Sequence, residues 1–280
     1  MRSSNYKIPR PFLKWAGGKR QLLVDLMVET ERAGLFKAYH EPFVGGGALY
    51  FELYRAGRLE HVKVQLSDTN ERLIEAYWGV RDDVEAIIGL LIEHQEKHCK
   101  EHYYAVRGRV PENSVERAAR IIYLNRTCYN GLYRENSKGV FNVPMGRYVH
   151  PTICDAENLR AVSVALRRVH VETRSFESVL DCAEPGDFVY FDPPYHPLSK
   201  TASFTAYAQG GFDEASQRRL AMVFRELDAR GVKVLLSNSM TDFVRELYDG
   251  YHIRTVRANR HVNSKADRRG EIDEALVANF

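Results

Sequence analysis

The stretch DFVYFDPPY, Asp187–Tyr195, decides the fold of this chain. Its apolar half, Phe188–Phe191, is β-branched and aromatic, which predicts a buried strand of a sheet. Pro193 and Pro194 cannot donate a backbone hydrogen bond, so the strand must stop beside Asp192. An acid, a rigid turn and an aromatic ring then lie at the carboxyl end of a strand, where open α/β sheets bind ligands. The alternative is a strand that simply ends in a Pro-Pro turn beside a surface tyrosine.

Two earlier strand ends carry residue types suited to a nucleoside-like ligand. The first predicted strand, His40–Val44, runs into the glycines Gly45–Gly47 and then a helix, which opens a βαβ unit where backbone can approach a ligand. The second predicted strand, Val62–Leu66, is followed by Asp68, about 20 residues past the glycines, where an acid can accept hydrogen bonds from ribose hydroxyls. Asp68 could instead cap the helix that begins near Glu71. The three strand ends follow the order expected of a doubly wound α/β sheet.

The segment PFLKWAGGK, Pro11–Lys19, precedes a predicted helix and also suits a ligand site. Its two glycines allow close backbone approach, Trp15 offers a flat face and Lys19 offers a cation. The phosphate-binding loop of nucleotide triphosphatases fits poorly, because it needs glycine and then serine or threonine where this chain has Leu13 and Arg20. A glycine turn beside a half-buried tryptophan is the alternative interpretation.

Size and composition fit one large soluble domain, or a core domain with an insertion. Of the 280 residues 44% are hydrophobic and 28% charged, and the net charge of +3 is too small to indicate a polyanionic partner by itself. No apolar run approaches the roughly 20 residues needed to cross a membrane, and the N-terminus lacks the apolar core of a secretory signal. The 4 cysteines, spread without a CxxC pair, predict reduced thiols in a cytoplasmic protein.

The spacing of apolar residues changes between residues 77 and 158. Helical periodicity predicts one helix through Val84–Ile92 and a second over Ser114–Asn125. The first helix is expected to continue through His94, His98 and His102, whose spacing could bind a metal. The charged residues around these histidines favour a solvated face instead, and no metal site is predicted.

The segment NRTCYNGLYRENSKGVFNVPMGRYVH, Asn125–His150, mixes basic, aromatic and amide side chains, which suit contact with nucleic acid. It indicates an inserted recognition module, with an ordinary polar hairpin as the alternative. The predicted domains are a cofactor-binding first part of the catalytic core (1–76), an inserted, mainly helical target-recognition domain (77–158) and a second part of the core (159–280). The basic stretch Arg254–Arg269 is either a phosphate-contacting loop or a solvated one.

The chain after the Pro-Pro turn predicts a lid, a helix and an edge hairpin. The polar and aromatic stretch 199–212 is long enough for a mobile lid beside the site. Asp213 is expected to cap a helix that ends near Gly231, before a strand over Val232–Leu236. The stretches His252–Val256 and Glu274–Phe280 could pair as a hairpin at the edge of the sheet.

These blocks resemble the Dam-type DNA adenine-N6 methyltransferases, and the resemblance runs along nearly the whole chain. The shared blocks are PFLKWAGGK (Pro11–Lys19), EPFVGGG (Glu41–Gly47), SDTN (Ser67–Asn70), YNGLYR (Tyr129–Arg134), FNVPMGRY (Phe141–Tyr148), DPPY (Asp192–Tyr195) and FTAY (Phe204–Tyr207). Gly46 departs from the family pattern, in which a small side chain is more often expected. The resemblance implies a Rossmann-like methyltransferase sheet and a site-specific DNA adenine-N6 methyltransferase.

The resemblance also implies S-adenosyl-L-methionine as cofactor and assigns residues to it. The implied cofactor contacts are Trp15, Lys19, Phe43, Gly45, Asp68, Phe176 and Asp192. The implied catalytic residues are Asp192, Pro193 and Tyr195. Asp192 and the Pro193 carbonyl would accept hydrogen bonds from the adenine amine, and Tyr195 would stack on a base flipped out of duplex DNA.

The YNGLYR block resembles the segment by which Dam-type enzymes recognise GATC. Arg134 could make a bidentate contact to guanine, and Leu132 and Pro144 could touch a thymine methyl group. Asn130 could occupy space near the flipped base, and Lys14 could contact a base. The expected partner is double-stranded DNA, with no membrane and with a cognate restriction endonuclease acting separately. The protein is expected to be a cytoplasmic monomer that associates with the nucleoid by binding DNA.

Two other functions compete with this one. A methyltransferase of the same fold could act on cytosine N4, RNA adenine or protein glutamine, because related Pro-Pro-aromatic motifs serve those acceptors. The acid before Pro-Pro and the YNGLYR block favour adenine in DNA. A non-catalytic DNA-binding module that has kept the fold is a rival of a different class, and it would bind DNA without turnover.

Overall fold

The structure is a computed structural model that describes residues 8–15, 19, 21–136, 138–198, 212–259 and 271–280. The helices are α1 (Leu23–Ala33), α2 (Ala48–Arg55), α3 (Glu71–Asp82), α4 (Val84–Glu96), α5 (Lys100–Gly108), α6 (Ser114–Thr127), α7 (Ala156–Leu166), α8 (Glu214–Ala229) and α9 (Asp242–Leu247). The strands are β1 (Ala38–Glu41), β2 (Lys63–Asp68), β3 (Val169–Thr173), β4 (Phe188–Phe191), β5 (Lys233–Ser239), β6 (His252–Asn259) and β7 (Glu271–Ala278). Short 3₁₀ turns lie at Tyr129–Gly131 and Phe176–Asp181.

The strands form a seven-stranded sheet in the order β3-β2-β1-β4-β5-β7-β6. Strand β1 pairs in parallel with both β2 and β4, and β4 pairs in parallel with β5. The chain order reverses between β1 and β4, which is the switch point where open α/β sheets bind ligands. The expected α/β class is therefore confirmed. The terminal hairpin is confirmed as well, since β7 pairs antiparallel with β5 and β6.

The first two strands end at other residues than predicted, and the capping alternative for Asp68 is corrected as well. Strand β1 ends at Glu41, earlier than predicted, because Pro42 has no N–H for the ladder. Strand β2 extends through Asp68. The suggestion that Asp68 caps the next helix is wrong: Asn70 is the cap of α3, and its side-chain oxygen accepts a hydrogen bond from Leu73 N at 3.1 Å.

The single helix predicted through His94, His98 and His102 is also wrong. The helix is interrupted between α4 and α5. The Cys99 thiol caps α5 by accepting a hydrogen bond from His102 N at 3.4 Å. His94 stacks on Tyr123 with ring centroids 4.6 Å apart, and His98 Nδ1 lies 2.9 Å from the Tyr123 hydroxyl. The histidines thus pack on α6 and are not merely solvated. The described residues contain no His, Cys, Asp or Glu group able to hold a metal ion.

Residue contacts divide the described chain into two units. The first unit lies within residues 1–18, 45–58 and 70–173, and the second within 19–44, 59–69 and 174–280. The first unit contains helices α2 to α7, and its α3 and α6 meet so closely that a Cβ on Gly79 would lie 2.6 Å from that of Ala118. The region 77–158 is mainly helical as expected, while the three predicted domain bounds stay a prediction.

The second unit is built around β4, β5 and β7. Its apolar core joins these strands to α8, with Val189, Phe191, Leu236 and Phe224 fully buried. Asp213 caps α8 as predicted, accepting a hydrogen bond from Ser216 N at 2.8 Å.

Three further expectations concern the lid, the basic stretch and a membrane span. The predicted lid, apart from Phe212, and the FTAY block lie outside the described residues, as do residues 260–269 of the basic stretch. Arg254 is described, and its guanidinium pairs with Asp25 at 2.5 Å and Glu29 at 3.1 Å. It therefore has carboxylate partners within the protein. No helix among the described residues is long and apolar enough to span a membrane.

Candidate active site

Asp192 lies directly after β4, whose four residues are all buried. Its Oδ1 atom accepts a hydrogen bond from Ser237 Oγ on β5 at 2.9 Å and lies 2.7 Å from Lys19 Nζ. Ser237 lies 3.0 Å from the Tyr190 hydroxyl, which donates to it because the Ser237 hydrogen is directed at Asp192. Both described contacts to the carboxylate fall on Oδ1. Its second oxygen, Oδ2, is therefore the one that could accept a hydrogen bond from a ligand.

Burial and two polar partners have opposite effects on the pKa of Asp192. The side chain is 20% exposed, and that of Lys19 is 7% exposed. Burial raises the pKa of Asp192 above its ordinary value, although the Lys19 ammonium and the Ser237 hydroxyl act in the opposite direction. The carboxylate is therefore a desolvated hydrogen-bond acceptor whose charged form depends on those two contacts.

This balance predicts how activity responds to pH. If catalysis needs the ionised carboxylate, kcat falls as pH drops through the pKa of Asp192. Ser237→Ala removes a contact that lowers this pKa, so the acid limb of the kcat profile should move to higher pH. Ser163→Ala is the control, because it removes another buried serine hydroxyl whose partner is the Arg81 carbonyl. Coincident acid limbs in the unchanged protein and Ser237→Ala would contradict the role given to Ser237.

Tyr195 is held near Asp192 by two contacts. Lys19 Nζ lies 4.4 Å from the centroid of its ring, and its hydroxyl donates a hydrogen bond to Glu274 Oε2 at 2.8 Å. The turn itself is fixed by α8, because Gln217 Nε2 donates to the Pro194 carbonyl at 2.9 Å. The ring is half-buried and has a defined orientation.

In the second unit, an aromatic ring follows β1 and an acid ends β2, and two further rings pack on the first ring. Phe43 follows β1 and stacks on Phe176 with centroids 5.4 Å apart, and Phe212 meets both rings edge-on. Asp68 ends β2 and is half-buried, and its backbone carbonyl accepts a hydrogen bond from Arg174 N at 3.1 Å. Apolar rings suit a purine and a carboxylate suits ribose hydroxyls, so this set fits a nucleoside.

The first unit contains the tryptophan and glycine predicted as cofactor contacts. Gly45 has φ +46°, and a Cβ there would lie 2.9 Å from Trp15 Cδ1, so the close approach requires glycine. The Gly45 carbonyl accepts a hydrogen bond from the Tyr77 hydroxyl at 3.1 Å. At Gly46 a Cβ would lie 3.4 Å from Trp15 Cβ, which is ordinary contact. A small side chain would fit where this chain departs from the family pattern.

A buried amide joins the N-terminal segment of the first unit to the YNGLYR block. Asn125 Oδ1 accepts a hydrogen bond from Lys14 N at 2.7 Å, and its Nδ2 donates to the carbonyls of Lys14 at 2.8 Å and Gly131 at 3.0 Å. Trp15 stacks on Tyr133 with centroids 5.5 Å apart. The Lys14 ammonium lies 4.0 Å from the Tyr148 ring centroid, and burial, followed by the charge of Arg126, lowers its pKa.

The residues predicted to contact DNA bases lie in the N-terminal segment and within residues 125–148, and their side chains differ in exposure. Arg134 is exposed, and its Nε donates to Asn142 Oδ1 at 2.7 Å. Asn130 is exposed with φ 54°, a backbone conformation that asparagine tolerates better than most residues. Pro144 is exposed and Leu132 is half-buried. Of the five predicted DNA contacts, Leu132 is thus the least accessible.

The sequence prediction gave no role in the site to three residues of this arrangement. Ser237 and Glu274 come from β5 and β7 and contact Asp192 and Tyr195, respectively. Asn125 was included in a polar segment without a role of its own. A buried asparagine within an apolar helix is the one local signal that could have identified it, because buried amides need partners.

Comparison with known proteins gives consistent similarities. The profile of the family described as D12 class N6 adenine-specific DNA methyltransferase matches residues 15–262. The type II methyltransferase M.MjaIII of Methanocaldococcus jannaschii is 45% identical over 97% of this chain and 99% of its own length. The type II methyltransferase M1.LlaDCHI of Lactococcus lactis subsp. cremoris is 44% identical over 97% of this chain and 95% of its own length. The DNA adenine methylase of Escherichia coli (strain K12) is 35% identical over 96% of this chain and 94% of its own length.

Proposed function

Because this chain belongs to the D12 class of N6 adenine-specific DNA methyltransferases, we propose that it methylates an adenine flipped out of duplex DNA within GATC, using S-adenosyl-L-methionine. One observation carries the proposal. The Asp192 carboxylate is held through Oδ1 by Lys19 and Ser237, immediately before a rigid Pro-Pro turn and the oriented ring of Tyr195.

These residues suit the chemistry of a poor nucleophile. The lone pair of the adenine amine is delocalised into the ring, so acceptors for its hydrogens must favour a more pyramidal nitrogen. Asp192 Oδ2 and the Pro193 carbonyl supply two such acceptors, and the prolines fix the second. Methyl transfer would form the N6–carbon bond as the donor's sulfur–carbon bond breaks, and N6 would then release one of its two protons to solvent. Such a direct transfer needs positioning and electrostatics without a covalent enzyme intermediate.

S-adenosyl-L-methionine, when bound, supplies an electrophilic methyl group. The stacked rings of Phe43 and Phe176 fit the adenine of such a ligand, and the half-buried carboxylate of Asp68 fits its ribose hydroxyls. Lys19 and Asp192 provide charge at the reacting end of the site. Trp15 and Gly45 of the first unit are further proposed cofactor contacts, on the resemblance of their blocks to the family.

The proposed duplex substrate supports base flipping, and the composition of the recognition segment supports GATC recognition. A paired adenine cannot present its amine to a pocket at the end of a strand while it is stacked in the duplex. Arg134 supports guanine reading, because the contact from its Nε to Asn142 orients an exposed guanidinium suited to bidentate hydrogen bonds. Lys14, Asn130, Leu132 and Pro144 remain proposed neighbours of the other bases.

Arg134→Ala should relax specificity at the guanine of the site. A bidentate arginine–guanine contact is worth roughly 1–3 kcal/mol of discrimination, so selectivity should fall about 5- to 150-fold at that base pair. The measurement is kcat/KM on GATC duplexes and on duplexes altered only at guanine. Arg147→Ala is the matched control, since it removes an exposed arginine of the same segment and should weaken all duplexes alike. Unchanged discrimination in Arg134→Ala would remove that role.

Two measurements test the function as a whole. Tritium from labelled cofactor should appear in DNA adenine and not in RNA, protein or cytosine, which separates this function from methylation of those acceptors. Methylation sequencing of DNA from cells that express the protein should show GATC; another motif would refute the site while leaving the reaction intact. The type II names of two relatives support the further proposal of a separately acting restriction endonuclease, and a monomeric enzyme is proposed with it.

A further inference from the structure

The hydroxyl of Tyr195 reaches a carboxylate that lies far away in sequence. It donates to Glu274 Oε2 at 2.8 Å, across 79 residues. Glu274 lies on β7, where it pairs with Ser239 of β5 and Val256 of β6. Because β7 is hydrogen-bonded on both sides, the backbone that carries this carboxylate is fixed by the sheet.

Lys19 restrains the same ring from a second direction. Its ammonium lies over one face of Tyr195, 4.4 Å from the centroid, and also contacts Asp192. A base that stacks on Tyr195 must therefore use the other face. Burial raises the pKa of the Tyr195 hydroxyl well above its ordinary value, and the charge of Asp192 adds to this, so the hydroxyl remains a donor at neutral pH.

We propose that Glu274 is a positioning residue, which fixes the Tyr195 ring so that a flipped adenine stacks on the face away from Lys19. The proposal rests on the function given above. A ring held at its hydroxyl needs no reorientation when the base arrives, which favours the flipped state. The simpler possibility is that the Tyr195–Glu274 hydrogen bond only stabilises the fold.

A double-mutant cycle separates these roles. Glu274→Met keeps the side-chain length and removes the strong acceptor, and kcat/KM should fall roughly 10- to 100-fold, the range expected for a hydrogen bond to a charged group. Tyr195→Phe keeps the ring and should cause a similar loss. The double variant should lose no more than either single variant, because both remove one interaction. Glu274→Gln, which keeps an acceptor oxygen, should recover part of the activity.

A second substrate tests the capture of the base directly. Opposite an abasic site the target adenine is unpaired, so flipping costs less. At saturating duplex, the loss of kcat in Glu274→Met should shrink on this substrate if Glu274 stabilises the flipped base. Asp273→Asn is the matched control, since it changes the exposed neighbouring carboxylate on β7 and should behave as the unchanged protein on both duplexes.

The outcomes are distinguishable. If the unchanged protein transfers no methyl group to DNA adenine, the proposed function is wrong and this proposal falls with it. If it does, additive losses in the cycle, or an equal loss on paired and abasic duplexes, overturn the role of Glu274 alone. Non-additive losses together with recovery on the abasic duplex support it.

Discussion

Asp192→Ala is expected to abolish methyl transfer while DNA binding persists. The substitution removes the acceptor proposed for the adenine amine, and losing a single preorganised group of this kind costs about 10²–10³ in kcat. In the proposed mechanism Asp192 would also face the positive charge that develops on N6 in a desolvated site, so we expect a loss of at least about 10³-fold. The measurement is single-turnover methyl transfer at saturating DNA and cofactor, with DNA affinity determined on the same preparations.

The lysine beside Asp192 makes the choice of variants important. The Lys19 side chain is only 7% exposed, and without Asp192 its charge loses a close partner, so the melting temperature should fall in Asp192→Ala. Asp192→Asn keeps the volume and should be folded better but nearly as inactive. Asp213→Ala is the control, because it removes a helix-capping aspartate and should cost about 1 kcal/mol of stability without loss of kcat. Turnover that survives both Asp192 variants would refute the proposed mechanism at its centre.

Gly131→Ala should disrupt the junction between the N-terminal segment and the YNGLYR block. Gly131 has φ +64°, and a Cβ there would lie 2.5 Å from Lys14 Cβ and 2.7 Å from the Lys14 carbonyl oxygen. Forcing an overpacked contact typically costs 1–3 kcal/mol, and a left-handed conformation adds roughly 1–2, so we expect a loss of about 2–5 kcal/mol in the free energy of unfolding. Sequence-specific DNA binding should be lost as well, because the Asn125 hydrogen bonds join the same carbonyls.

Gly139→Ala provides the comparison. Gly139 lies in the same segment with φ +69°, yet nothing lies within 4 Å of an added Cβ. Its substitution carries the conformational cost alone, about 1–2 kcal/mol. Denaturant unfolding of both variants should therefore give a larger loss for Gly131→Ala. Equal losses would mean that Lys14 moves aside and that the junction is not rigid.

The sequence predicted the parts of the site that are local. The apolar run before Asp192 and the prolines after it define a strand end by themselves, and Asp68 follows from the same kind of pattern. The choice between ligand and cap at Asp68 was open, because acids and amides both suit helix starts. The cap is Asn70, whose side chain accepts a hydrogen bond from Leu73 N in the folded structure.

The remaining contacts depend on tertiary pairing that no local pattern encodes. Ser237 meets Asp192 across 45 residues, because β4 and β5 are adjacent in the sheet, and Glu274 meets Tyr195 across 79 because β7 is inserted beside β5. The break between α4 and α5 was missed for another reason. The charged residues before Cys99 suit a helix, and a cysteine is an uncommon cap, so nothing there signalled an end.

The Asn125 amide has a consequence for exchanging specificity between relatives. It engages both the N–H and the carbonyl of Lys14 and also the Gly131 carbonyl, much as a neighbouring strand would. A recognition segment taken from a relative would carry that relative's residues at this junction. An aspartate at position 125, for example, could not donate the two hydrogen bonds. Chimaeras should therefore move residues 11–15 together with 125–148 as one cassette, with glycine kept at 131.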